Sequence, residues 1–155
     1  MPRRAARLAK LTRPRLHEVL DRRRLFGRLD QERARPLVWV IGPPGAGKTA
    51  LVASYLDARD PESIWLHLDP GDGEVATFFH YLSQSLETPA RRAPLPVITP
   101  EYRANLEGFT RYYFREFFAR MPSPAVLVFD NYQDIPAESA LHRVLHRRLA
   151  RHPRV

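Results

Sequence analysis

The sequence predicts an α/β fold, a parallel sheet with helices packed on both of its faces. Three observations lead there. Apolar runs of strand length alternate with helical patterns along the chain. Those runs are nearly unbroken, as in strands covered on both faces. Strands alternating with helices are joined by right-handed crossovers into a parallel sheet. A length of 155 residues with an apolar share of 44% suits one domain with its own core.

Leu16, Val19, Leu20, Leu25, Phe26 and Leu29 recur at roughly helical spacing and predict a helix or two ending before Pro36. Leu37-Val38-Trp39-Val40-Ile41, bounded by Pro36 and Gly42, reads as a buried strand. The segment from Lys48 to Leu56 reads as a helix with Leu51, Val52, Tyr55 and Leu56 on one side. Ile64 to Leu68, closed by Asp69-Pro70-Gly71, gives a second strand. Val75, Phe78, Phe79, Leu82 and Leu86 then mark an amphipathic helix whose start Asp72 is placed to cap. Pro89, Pro94, Pro96 and Pro100 make residues 88 to 100 a loop, because proline at that density stops helix and central strand alike.

A long helix is predicted from Glu101 to Arg120, and its Leu106, Phe109, Tyr113 and Phe117 step by three or four, the signature of a face buried on a sheet rather than of a base-stacking surface. Ala125 to Phe129 gives a third buried strand, and Leu141, Val144, Leu145 and Leu149 mark a last helix.

The formal charge of +8 is concentrated. Residues 1–35 hold 12 Lys/Arg against 4 Asp/Glu, whereas residues 36–155 hold 13 of each. The chain therefore divides into a basic arm with leading helices, 1–35, and a neutral core, 36–155. The arm reads as a solvated or partner-binding segment. Contact of the arm with nucleic acid is the alternative, and its mark would be binding that weakens steeply as salt rises.

No apolar run approaches the roughly 20 residues of a membrane span, and the N-terminus does not read as a secretory leader. With no cysteine, disulfides, thiol catalysis and cysteine-ligated zinc are excluded. A cytoplasmic protein with no membrane partner is expected.

Gly42-Pro43-Pro44-Gly45-Ala46-Gly47-Lys48-Thr49 satisfies GxxxxGK[ST] in full, directly after an apolar run and directly before a helix. Glycines let the backbone curl round a phosphate with its N–H groups inward, and the helix start adds its positive dipole end. Lys48 is placed to reach the β- and γ-phosphates and the Thr49 hydroxyl to ligate Mg²⁺. Gly42 to Ala50 is thus the expected nucleotide-binding segment, with ATP and Mg²⁺ as ligands. Val126-Leu127-Val128-Phe129-Asp130 is the second half of such a site, an apolar strand ending in a carboxylate that holds the metal's hydration shell. Thr49 and Asp130 are the expected metal residues, and Lys48, Asp130 and Asn131 the catalytic set. Asn131 stands where many such ATPases place an acid, and an amide cannot take a proton; Asp134 and Asp69 are substitutes by position only.

Two other patterns carry no site. His142 and His146 lie four apart on a predicted helix, but Arg143 stands where a zinc hydrolase has glutamate and no third ligand is evident. Asp69-Pro70-Gly71-Asp72-Gly73 has the composition of a calcium loop without its ligand spacing.

The motifs together resemble the nucleotide-binding core of the STAND class of signalling ATPases, in particular the large ATP-binding bacterial regulators of the LuxR type that include the maltose-regulon activator. The matching residues are Lys10-Leu11 with Pro14, Arg22 and Arg24-Leu25, Gly42 to Leu56, Trp65 with Leu68-Asp69, Phe78 to Leu82, and Leu127 to Pro136. The resemblance implies an AAA-like P-loop NTPase three-layer sandwich, in which ATP acts as a switch and the Arg22/Arg24 segment lies near the adenine. It also implies further strands, helical repeats and often a DNA-binding helix-turn-helix, none of which this sequence contains, so a core truncated at its C-terminal side is expected.

On this reading the chain is an ATP-binding switch module of a signalling or transcriptional regulator, with slow or partner-dependent hydrolysis. Its partners are a nucleoside triphosphate and other domains or copies of the intact regulator, with no DNA binding of its own. A P-loop small-molecule kinase, dependent on an added acceptor, is the alternative enzyme. A nucleic-acid-binding fragment with a vestigial nucleotide site is the alternative outside enzymes.

Overall fold

The computed structural model describes residues 9–16, 22–86, 94–122 and 124–149, with side chains as far as Arg147. Val19, Leu20, Pro89, the Leu149 side chain and Arg154-Val155 lie outside the described residues. The elements run α1 (Arg23–Glu32), α2 (Lys48–Arg59), β1 (Glu62–His67), α3 (Val75–Ser85), α4 (Pro100–Ala104), α5 (Leu106–Phe118), β2 (Ala125–Asp130) and α6 (Ala140–Leu149). β1 and β2 pair in parallel, with Glu62 opposite Ala125 and His67 opposite Asp130. This is a mixed α/β structure with a small parallel sheet, as predicted.

Strand side chains alternate faces, so each strand feeds two clusters. Ile64, Leu66, Leu127 and Phe129 pack with α3, α5 and α6 through Phe78, Phe79, Leu82, Phe109, Tyr113, Phe117 and Leu141. Trp65, Val126 and Val128 pack with α1 and α2 through Phe26, Leu51, Ala53, Tyr55 and Leu56. The sheet is therefore covered on both sides, which is why both strands could be read from uninterrupted apolar runs.

The segment from Leu37 to Ile41 departs from expectation. It forms no ladder among the described residues, and Trp39 and Ile41 are 52% and 88% exposed. Val40 reaches the cluster under α1 and α2, and the Trp39 ring meets Tyr132 edge-on at 5.0 Å. An apolar run becomes a strand only when a neighbour takes its backbone hydrogen bonds, and the two strands of this sheet pair with each other.

Two smaller corrections are local. The helix expected from Glu101 to Arg120 is two helices, because Asn105 leaves the helical region and caps α5 by accepting from Gly108 N at 2.9 Å. Asp72 does not cap α3; Glu74 does, accepting from Ala76 N at 3.5 Å. Asp72 is instead fully buried and accepts from Asp69 N at 2.8 Å, while Asp69 accepts from Gly71 N, closing a reciprocal box around the turn 70–73.

That turn holds the described end of the arm. Lys10 Nζ lies 2.5 Å from Asp69 Oδ2 and 2.6 Å from Asp72 Oδ2, and 4.5 Å from the centre of the Tyr81 ring. Leu11 beside it is buried in the core. The arm is thus docked at residues 9–11, not solvated there. Burial opposes the Lys10 charge, but hydrogen bonds to Asp69 and Asp72 outweigh it and raise the ammonium above its usual range. The Lys10 hydrogen bond in turn holds the Asp69 carboxyl below the usual range.

A depressed carboxyl contributes stability that is complete above its unfolded value, roughly 3.9, and is lost as pH falls through the folded value; a raised lysine contributes below roughly 10.4 and loses it as pH rises. Docking of the arm is expected to be constant across neutral pH and to release below about pH 4. The Leu11 methyl resonances, followed against pH, check this: a transition near neutrality would refute the clasp.

Candidate nucleotide site

The turn between Ile41 and α2 is built on two glycines with positive φ, Gly45 at 76° and Gly47 at 74°. A Cβ at Gly47 would come within 2.9 Å of the Arg22 guanidinium, the movable end of a long side chain, so it is the positive φ that calls for glycine there. Ala46 N bonds Pro43 O at 3.2 Å, and Arg22 Nη1 donates to Ala46 O at 3.0 Å. Arg22 therefore braces the loop from outside and adds positive charge beside it, whereas Arg24 is exposed on α1. α2 opens at Lys48 with Gly47 as its cap residue, so its first N–H groups have no helical acceptor and stand where an anion would be received.

Lys48 Nζ donates to Gly42 O at 2.9 Å and to Pro43 O at 3.1 Å, folded back onto the loop. Thr49 Oγ1 donates to Asp130 Oδ1 at 2.8 Å, a contact between residues 81 apart that joins the loop to the end of β2. Asn131 N also donates to Asp130 Oδ1, at 3.0 Å. Asp130 Oδ2 is buried and has no hydrogen-bond partner. Sequence reasoning placed these residues at one site, and the structure brings Lys48, Thr49, Asp130 and Asn131 together there.

An ion such as Mg²⁺ takes oxygen ligands and is held by one or two protein groups together with substrate phosphates and water. A hydroxyl and a carboxylate in contact, one oxygen of the carboxylate buried with no hydrogen bond and with only the His67 imidazole 3.4 Å away, fit that donor set. Among the described residues no group of three or more His, Cys, Asp or Glu is placed to hold a metal ion.

His67 was missed. It ends β1 opposite Asp130, with Nδ1 3.4 Å from Asp130 Oδ2 and Nε2 accepting from Asn131 Nδ2 at 3.1 Å. Counting parallel strands from their ends would have found it, because both strands finish at the same edge. Asn131 itself has φ 58°, a left-handed conformation that asparagine tolerates better than most residues, so the backbone supplies a reason for this residue type beside any chemical one. Asp69 is not a substitute base, since its carboxylate is committed to Lys10 and Gly71. His142 is likewise occupied, with Nδ1 at 2.7 Å from Tyr132 Oη and Nε2 at 2.9 Å from Pro136 O.

Residues 31–152 match the model of the AAA domain. The chain belongs to that family. It is also similar to several HTH-type transcriptional regulators named MalT. The protein from Vibrio campbellii is 38% identical over 79 residues, covering 50% of this chain and 9% of the relative. That from Cronobacter sakazakii is 32% identical over 128 residues, 80% of this chain and 14% of the relative. That from Klebsiella pneumoniae (strain 342) is 29% identical over the same length. This AAA domain thus spans a small part of the length of the regulators it matches. No solved structure matches it. Among its described residues no helix is long and apolar enough to cross a membrane.

Proposed function

We propose that the chain is the ATP-binding switch module of a transcriptional regulator of the STAND class and LuxR type, folded as a three-layer P-loop core. One observation carries this reading, the 2.8 Å contact between Thr49 Oγ1 and Asp130 Oδ1 beside Lys48. It sets a hydroxyl from the start of α2 and a carboxylate from the end of β2 where one divalent ion would meet both. In this reading residues 42–50 cradle the phosphates, Lys48 pairs with the terminal ones, and Thr49 and Asp130 hold Mg²⁺, which neutralises phosphate charge when bound.

The amide of Asn131 orients through His67 but takes no proton, so slow or partner-dependent hydrolysis follows, and the triphosphate state persists long enough to act as a signal. Similarity to the MalT regulators supports the assignment to transcriptional control, and assembly with further domains or copies is part of the same proposal.

Asp130→Asn separates the metal from the nucleotide. In the parent chain ATP is expected to raise the melting temperature more with Mg²⁺ than with EDTA; in the variant the two increments should be equal. An ATP effect that is absent in the parent chain, or that keeps its magnesium dependence in Asp130→Asn, refutes the assignment.

A further inference from the structure

Far along the chain from the P-loop, α4, α5 and α6 enclose an open cleft of about 880 Å³. Arg103, Arg111, Arg143 and Arg147 line it, against a single acid, Glu107. In a core where residues 36–155 carry 13 basic and 13 acidic side chains, this is a local excess of positive charge rather than a sample of a basic surface. Glu107 accepts from Arg147 Nη1 at 3.1 Å and lies 3.9 Å from Arg111 Nη2. Arg103 and Arg143 are exposed and have no ion pair among the described residues.

The rest of the lining selects the partner. Leu106 and Ala104, over the buried Val144, give the cleft an apolar part, and no aromatic ring lines it. Single-stranded nucleic acid needs rings for its bases to stack on. A free phosphate has no use for apolar surface. Carboxylates interleaved with aliphatic side chains satisfy both halves, since guanidinium forks bind carboxylates in paired hydrogen bonds. We propose that this cleft is a docking site for an acidic polypeptide segment carrying aliphatic residues, through which a protein partner reaches this domain on a surface other than the nucleotide loop.

The test is fluorescence anisotropy of a short labelled peptide of glutamate-glutamate-leucine repeats, titrated with the whole chain. Saturable binding is expected, weakened about tenfold for each arginine lost in Arg103→Glu/Arg143→Glu. Lys48→Ala, which alters the nucleotide loop, and Arg3→Glu/Arg4→Glu, which lowers the charge of the arm, should both bind as the parent does. Because Arg103 and Arg143 are exposed and unpaired among the described residues, the double variant is expected to melt with the parent.

Equal binding by the double variant overturns the site, as does loss of binding in the arm variant. A peptide with serine in place of leucine that binds equally well overturns the part given to Leu106 and Ala104. Oligothymidylate bound through the same arginines as tightly as the peptide overturns the choice of partner.

Discussion

Lys48→Ala is expected to erase the thermal stabilisation that Mg²⁺-ATP gives the parent chain. At about 100 times the dissociation constant that stabilisation is roughly 2.7 kcal/mol, or some 5 to 10 °C for a domain of this size. Lys48 is the ammonium of the loop, and without ligand its protons go to Gly42 O and Pro43 O. Those carbonyls lie at an exposed or half-buried turn, so their loss costs at most about 1 kcal/mol each. The unliganded variant should therefore fold and melt only a few degrees lower, and the absence of an ATP effect will report on binding. A variant that keeps the full shift would place the nucleotide elsewhere on the chain. Differential scanning fluorimetry with and without Mg²⁺-ATP distinguishes the outcomes.

How legible this arrangement was in the sequence depends on the range of the forces involved. The loop from Gly42 to Thr49 could be read because its chemistry is local: positive φ at Gly45 and Gly47 and a helix start at Lys48 are properties of neighbouring residues. The partnership with Asp130 could be read because an apolar strand ending in a carboxylate is the usual second half of a site that begins with such a loop. The state of Leu37 to Ile41 could not, since an apolar run says that a segment avoids water but not which strand bonds to it. Arg22 rather than Arg24 reaches the loop because the chain enters α1 there, a matter of helix phase.

The Lys10 clasp was opaque for a different reason. Asp72 looked like a helix cap, and only the folded chain brings a lysine from residue 10 to a turn at residues 70–73. His67 was hidden because only the register of β1 against β2 sets it opposite Asp130. The aromatic pattern of α5, by contrast, was plain, because a helix face repeats within the element itself.

The rings of α5 pack on Phe79 of α3, and that contact carries the second large effect. Phe79→Ala is expected to cost about 3 to 5 kcal/mol, the usual price of truncating a buried phenylalanine, and hence roughly 6 to 20 °C in melting temperature at 2 to 4 °C per kcal/mol. The Phe79 ring meets Phe78 at 5.4 Å, Phe109 at 5.0 Å, Tyr113 at 4.5 Å and Phe114 at 5.9 Å. Its neighbours leave little room to collapse into the vacancy: Phe109, Tyr113 and Phe117 are all fully buried, and burial holds the Tyr113 phenol well above its usual range while its hydroxyl bonds Ser83 at 2.8 Å.

Tyr112→Ala, on α5 beside Tyr113 but 40% exposed, should change stability by less than about 0.5 kcal/mol. Chemical denaturation of the two variants beside the parent measures both. If Phe79→Ala costs as little as Tyr112→Ala, the helices over this face of the sheet are not packed against it. Leu66, which shares that cluster one residue before His67, would then lose the support that sets the end of β1 beside Asp130.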